Sequence, residues 1–485
     1  MSEPKRLHPI AALINFFKQL KELIVPFLVF IVFGSKGTDW DFLFFIGSFA
    51  VLVLILGIGI LSWLRFTYRI EDGELRLEYG IIVRKKRYIP FDRIQSLDFS
   101  EGILHRPFGL VKVKVETAGS SGIRAQDAEA VLTAIKKEEA ESIEEILSSF
   151  KKSGKTLDED DAQESDTATE EEVIYKISPG ELLLLATTSG GVGVVISAVL
   201  AFFFQFEEII PYERVFKGVE NFISNGIIFV SIIVFVGFLF AWVIALIGTM
   251  LKYADFTVRK VDDDLIISRG LLEKRQITIP LHRIQAVRIS ENLIRQPIGY
   301  GAVILESAGG SAANSESSKV MVLPIIKKER ISGLLEPYLK EYKLDENFVP
   351  VPKRALGRYI LRGWLYLIPF LVVPIILFKF LGLFSLILLI FSALWSYLKY
   401  KDAGWNVNNH QLNLRYRTLI KHSIFMKKNK VQSVTLKDSY FQRRQKLASI
   451  QATIKSGGGG AGGTVVDLEE SDSLQIYNWY SNSGM

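Results

Sequence analysis

The 485-residue chain contains no cysteine. That excludes disulfides, thiol catalysis and cysteine-ligated metals. Histidine is scarce, with five scattered residues, and no set of metal-ligand spacing is legible. There is no glycine-rich phosphate loop ending in Lys-Ser/Thr, no nucleophile elbow and no HExxH. The run from Gly457 to Gly463 lacks that Lys-Ser/Thr and reads as a flexible hairpin loop. No catalytic residue, metal or cofactor is expected, and the chain reads as non-enzymatic. Large charge excess is also missing: 58 basic residues against 52 acidic ones leave +6. That suits a chain facing anionic lipid better than one binding nucleic acid.

What the chain has in quantity is apolar length. It is 49% hydrophobic and 12% aromatic, with a mean hydropathy of +0.25. A membrane-crossing helix needs about 20 apolar residues. Phe42 to Leu64, Gly226 to Leu251 and Leu182 to Phe206 are uncharged, the last interrupted by Gly190, Gly191 and Gly193. Gly363 to Phe378 and Leu381 to Leu398 are shorter, and Leu23 to Phe33 is the shortest. These segments predict about six transmembrane helices in three hairpins, each followed by a polar stretch. Basic residues such as Arg65, Arg69, Lys252, Arg354, Arg358, Lys399 and Lys401 flank the polar side. The positive-inside rule then places both termini and all polar stretches in the cytoplasm of a multi-pass cell-membrane protein. No cleavable signal peptide is read at the start.

The polar stretches repeat one another. Arg87-Tyr-Ile-Pro-Phe-Asp-Arg-Ile-Gln-Ser-Leu97 matches Arg275-Gln-Ile-Thr-Ile-Pro-Leu-His-Arg-Ile-Gln-Ala-Val287, and, more loosely, Ile424-Phe-Met-Lys-Lys-Asn-Lys-Val-Gln-Ser-Val434. Downstream, His105-Arg-Pro-Phe-Gly109 matches Arg295-Gln-Pro-Ile-Gly299, and Ile135-Lys-Lys-Glu138 matches Ile326-Lys-Lys-Glu329. In the third copy Arg444 and Lys446 replace the proline and glycine. Each copy predicts a small β module: Leu75-Arg-Leu-Glu-Tyr79 and Val111-Lys-Val-Lys-Val115 alternate with period two. Asp72-Gly73 supplies a tight turn. A helix is predicted to close the first copy over 138–150 and the second over 328–342. Residues 157–172 hold nine acidic residues and read as a solvated linker.

The expected organisation is a membrane hairpin over 1–66 and a module over 67–150, then an acidic linker over 151–178. A second hairpin (179–254) and module (255–342) follow. The third hairpin with its linker (343–401) and the third module (402–485) complete the chain.

A membrane hairpin leading into a β module with Arg-Ile-Gln-Ser, a His-Arg-Pro-Phe-Gly stretch and a Lys-Lys-Glu helix start resembles the bacterial pleckstrin-homology membrane family. These are the YdbS/YdbT-like proteins, here in a three-copy form. The resemblance implies an α+β multi-pass membrane protein. Each module would be a pleckstrin-homology-like bent sheet of seven strands with a C-terminal helix. The resemblance implies little about activity, since one fold serves many functions.

Two sets of residues stand out. Arg84, Lys85, Lys86 and Arg87, with Lys274, Arg275, Lys427 and Lys428 in comparable places, could bind lipid headgroups or a partner. The plainer reading of the same residues, and the favoured one, is solvated positive-inside charge on a cytoplasmic loop. The recurring Arg93, Gln95, Pro107, Gly109, Arg283, Gln285, Pro297, Gly299 and Gln432 read as structural. Three functions stay open: an assembly scaffold at the membrane, an anionic-lipid sensor, and a transporter. Expected partners are membrane lipids and a membrane protein, either a second copy or a related pleckstrin-homology-like subunit; nucleic acid is not expected. The uncharged segment interiors argue against transport.

Overall fold

A computed structural model of the chain describes residues 4–17, 19–20, 41–117, 130–155, 171–189, 227–308, 318–345, 347–378, 383, 385–408, 410–456 and 460–481. It divides into two compact units, one of residues 1–118 and 127–278, the other of 119–126 and 279–485.

In the first unit, β1 (Lys5–Arg6), β2 (Thr67–Glu71), β3 (Glu74–Tyr79) and β4 (Lys85–Pro90) form a four-stranded antiparallel sheet in that order. Asp72 and Gly73 turn β2 into β3, both with positive φ, as a two-residue hairpin requires. A second sheet contains β5 (Ile94–Glu101), β6 (Leu110–Thr117) and β7 (Ala130–Lys136) of the first copy. It also contains β8 (Glu171–Lys176), β9 (Thr257–Val261), β10 (Asp264–Arg269) and β11 (Lys274–Pro280) of the second. Their spatial order is β7-β6-β5-β11-β10-β9-β8.

The alternation read in the sequence carries the first core. Leu75 and Leu77 of β3 and Ile89 of β4 are buried with Leu97, Val113, Val115 and Leu132 from β5 to β7. Ala140, Ile143 and Leu147, on one face of the helix Lys137–Lys155, close the same cluster. Leu7 and Ala11 join it from the N-terminus, and Trp63 Nε1 donates to the Leu7 carbonyl at 2.7 Å. Each fully buried leucine contributes about 1.5–3 kcal/mol of apolar transfer energy.

The second unit repeats the plan. β12 (Ile284–Glu291), β13 (Tyr300–Ser307) and β14 (Lys319–Lys327) belong to the second copy. They share a seven-stranded sheet with β15 (Val349–Pro350), β16 (Gly404–Asn408), β17 (Gln411–Arg417) and β18 (Lys421–Lys427) of the third, in the order β14-β13-β12-β18-β17-β16-β15. The last three strands, β19 (Val431–Lys437), β20 (Leu447–Ile454) and β21 (Ala461–Glu469), form an antiparallel sheet covered by the helix Glu470–Ser481. Leu412, Leu414, Ile424 and Met426 pack with Leu447, Ile450, Val465, Leu468 and Ile476 in its core. Each copy thus supplies four strands and then three, and the first of each set (β1, β8, β15) lies ahead of that copy's apolar helices.

The expectation of about six transmembrane helices in three hairpins is corrected. Among the described residues, two helical segments are long and apolar enough to cross a membrane, Phe235–Tyr253 and Lys353–Leu377. An uncharged run does not always carry a helix of its own length. The helix Ile387–Asp402 has 16 residues and ends in Lys399, Lys401 and Asp402. At ~1.5 Å per residue it falls short of a ~30 Å hydrocarbon core. The helix Pro179–Thr188 has ten residues and stops at Ser189. Val53–Arg65, within the helix Asp41–Arg65, counts only as a shorter apolar segment. The expected segment at 23–33, the remainder of that at 182–206, and most of the acidic linker lie outside the described residues. The two long helices are not core helices, because 6% of one apolar window and none of the other is buried.

Candidate interaction surfaces

The copies are joined through their sheets. In the first unit β5 of copy one pairs antiparallel with β11 of copy two, setting Lys274 opposite Glu101, Arg275 opposite Ser100 and Gln276 opposite Phe99. In the second unit β12 of copy two pairs antiparallel with β18 of copy three, from Ala286 opposite Met426 to Glu291 opposite Lys421. Copies one and two are offset by 190 positions and copies two and three by 147, so Glu101 and Glu291 are equivalent, as are Lys274 and Lys421. Both junctions therefore hold the same register, with a glutamate at the end of one strand facing a lysine at the start of the next.

The second junction is threaded by buried charge that sequence reading missed. Arg288, on β12, holds Glu306 on β13 at 2.6 Å, Tyr416 Oη on β17 at 2.6 Å and the Gly462 carbonyl on β21 at 3.0 Å. Glu306 is fully buried. At the strand end Lys421 Nζ lies 3.0 Å from Glu291, and Lys328 lies 3.5 Å from it. Gly462 approaches so closely that an added Cβ would sit 1.9 Å from the Ala452 carbonyl oxygen. Part of the glycine run is thus a packing requirement, while 457–459 lie outside the described residues. At the first junction the positions of Arg288 and Glu306 are taken by Asp98 and Glu116. There Asp98 Oδ1 accepts the Thr278 backbone N–H at 3.4 Å.

The sequence-selected basic residues fall in different settings. Arg84 precedes β4 and Lys85, Lys86 and Arg87 lie on it; β4 ends its sheet. The Arg84 guanidinium is hydrogen-bonded to Glu78 and holds that carboxyl below the usual carboxylate range, with Lys86 adding to the effect. Lys274 and Arg275 stand inside the first junction. Lys427 is buried at the end of β18, over the Tyr342 ring at 5.1 Å and paired with Glu341. Burial, and then Lys430 nearby, push its ammonium pKa down. Lys428 lies 5.3 Å from the Trp479 ring centroid.

The repeat-motif residues sit at matching turns. Short 3-10 turns, Phe91–Arg93, Leu281–Arg283 and Lys428–Lys430, lead into β5, β12 and β19. Arg93 is exposed, Gln95 half-buried, and Arg283 and Gln285 buried, with Gln285 Nε2 donating to the Arg283 carbonyl at 3.0 Å. The exposed Gln432 offers its carbonyl to Tyr480 Oη at 2.8 Å. Pro107 lies in a 3-10 turn ahead of β6 and Pro297 in the matching turn ahead of β13. Gly109 and Gly299 follow them with φ of 61° and 71°, and Lys446 holds 51° in the third copy. All three carbonyls accept the N–H at the start of the following helical segment, from Lys137, Lys328 and Glu470. The third copy thus keeps the turn without the glycine.

Where the helix Leu356–Phe378 meets the third copy, Asp467 is fully buried and left-handed, with φ of 57°. It accepts from Arg358 Nε at 3.0 Å, from Arg362 Nη2 at 2.7 Å and from Gln442 Nε2 at 2.8 Å. Beside it opens a cleft of about 830 Å³ whose lining includes Arg362, Lys399, Arg417 and Lys455. Among the described residues no cluster of histidine and carboxylate side chains is placed to hold a metal ion.

Comparison with known proteins is consistent with this repeat. The family described as "Bacterial PH domain" matches residues 23–151, 195–342 and 366–483. The chain is also similar to the UPF0699 transmembrane protein YdbT of Bacillus subtilis (strain 168), with 39% identity over 497 residues and 99% of each chain covered.

Proposed function

The chain belongs to the bacterial PH domain family, and on that premise we propose that it is a non-catalytic scaffold at the cell membrane, whose sheet modules join other protein modules. The observation that carries this reading is the repeated junction: twice within one chain, a strand of one copy extends the sheet of the next in the same register. Strand addition of this kind takes its affinity from main-chain hydrogen bonds and its specificity from side chains at the ends. The apolar helices Phe235–Tyr253 and Lys353–Leu377 anchor it in lipid. Their ends nearest the sheets carry Lys252, Lys353, Arg354 and Arg358, which supports a cytoplasmic position for the modules. Anchoring raises the effective concentration of each module, so weak contacts suffice for assembly. Full-length protein extracted in mild detergent is expected to run as a complex larger than the 54.7 kDa chain by light scattering. A strictly monomeric particle with no co-purifying protein contradicts the reading.

A second reading rests on the cleft beside Asp467. Arg362, Lys399 and Lys455 line it next to an apolar helix, where each cation near an anionic leaflet contributes about 1 kcal/mol of attraction. Lys399→Gln with Lys455→Gln is expected to weaken binding to vesicles containing phosphatidylserine; unchanged binding removes lipid recognition from this cleft.

A further inference from the structure

The two internal junctions follow one rule: the fifth-position strand of each copy pairs with the fourth-position strand of the next. Three copies in a row satisfy the rule twice and leave one strand of each kind over, β4 of the first copy and β19 of the third. Both end their sheets in the strand order. Their exposure matches that position. Residues along β18 are mostly buried and those of β12 almost wholly so, whereas β19 exposes Gln432, Ser433, Thr435 and Lys437, and β4 exposes Lys85, Lys86 and Tyr88.

We infer that β19 of one chain adds antiparallel to β4 of a second copy, extending the intrachain rule between molecules. The inference rests on the scaffold reading and names its partner and its register. Carrying the 190 and 147 offsets forward, the Glu101–Lys274 and Glu291–Lys421 position becomes Asp438 opposite Arg84. The charge order is conserved, acid at the end of the fifth-position strand and base at the start of the fourth. Both side chains already sit in exposed ion pairs, Arg84 with Glu78 and Asp438 with Arg443 at 3.3 Å, and such pairs exchange at small cost. The next position sets Lys437 opposite Lys85. Like charges facing across strands disfavour pairing, so this join is weaker than the internal ones and reversible. Among the described residues one donor strand and one acceptor strand remain, which makes the contact heterologous, and it propagates head to tail into a row or a closed ring.

The absence of native cysteine makes the test clean. Lys437→Cys in one preparation of full-length protein and Lys85→Cys in another are mixed in mild detergent and oxidised. Ser100 with Arg275 and Ser290 with His422 occupy the equivalent position in the two internal junctions, so cysteine pairs there are positive controls within one chain. The expected result is an interchain dimer for 437 with 85 and none for 437 with Tyr88→Cys, about 10 Å along the strand and on its other face. Arg84→Asp is expected to lower the 437–85 yield about tenfold, and adding Asp438→Arg to the partner is expected to restore it. If light scattering shows complexes but the 437–85 crosslink does not form, the inference fails while the scaffold reading stands. If Lys85→Cys captures a different protein instead, a second copy is the wrong occupant. Monomers with no co-purifying protein overturn both.

Discussion

At β12·β18 six residue pairs run from Ala286–Met426 to Glu291–Lys421, with Arg288 and Glu306 buried among them. At β5·β11 three pairs are made, the equivalent lysine, Lys274, is exposed, and one backbone N–H reaches Asp98. The register is shared; what fills it is not. Register follows from the repeat itself, since equivalent strands present equivalent backbone. Strength follows from side chains that diverged between copies, above all Arg288 where the first copy has Asp98.

The largest expected difference lies in the buried pair. Glu306→Leu leaves Arg288 without its carboxylate in a site closed to water, at a cost of about 3–5 kcal/mol. The equivalent Glu116→Leu loses contacts to Ser96 and Lys114, both at 3.2 Å, at about 1–2 kcal/mol. Hydrogen exchange read separately on β12 and β5 checks this, and equal losses would break the comparison. Charge reversal at the strand ends comes next. Glu291→Lys sets a third ammonium beside Lys421 and Lys328 and is expected to open β18 to exchange by about tenfold or more. Glu101→Lys, at the more exposed end, is expected to change β11 by less than about 1 kcal/mol.

A pH effect should be confined to the second junction. Burial, then the charges of Arg288 and Lys319, push the His422 imidazole down to about 4 from 6.5. His422 Nδ1 lies 3.0 Å from Ser290 Oγ, and the ring lies beside Tyr416. The unfolded chain takes up its proton near pH 6.5 and the folded junction only near 4. Stability therefore falls as pH drops through that window. Protection of β18, the slowing of its exchange relative to the unfolded chain at the same pH, is expected to fall from pH 7 to pH 5, and His422→Gln to flatten that response. β11, with Arg275 at the same position, should not respond. The smallest effect concerns Lys446. A non-glycine residue in the left-handed region costs roughly 1 kcal/mol, so Lys446→Gly is expected to raise stability by about 0.5–1 kcal/mol, partly offset by chain entropy. Gly109→Lys in the first copy should lose a similar amount.

Much of the module architecture was legible because period-two alternation and the repeat point the same way. Leu75, Leu77, Val113 and Val115 lie in the core as their alternation requires. Two classes of feature were not legible. The opening strands β1 and β15 are two residues long, too short for any periodicity, and only the sheet they join defines them. The number of membrane-length helices was overread, because absence of charge does not show where a helix stops. The candidate site was half visible. The basic runs were found as charge, but their roles depend on which strand ends its sheet: Lys427 is buried beside Tyr342 while Lys85 and Lys86 are exposed. Arg288, Glu306 and Asp467 carried one usable signal, a charge inside an otherwise apolar strand.

The common register is tested most directly by paired cysteines in the cysteine-free chain, Ser100 with Arg275 and Ser290 with His422. Both pairs should form disulfides within one chain under mild oxidation, each more completely than a pair displaced by one residue. Efficient bonding at only one of them, or equal bonding at the displaced positions, would show that the two junctions do not share one rule.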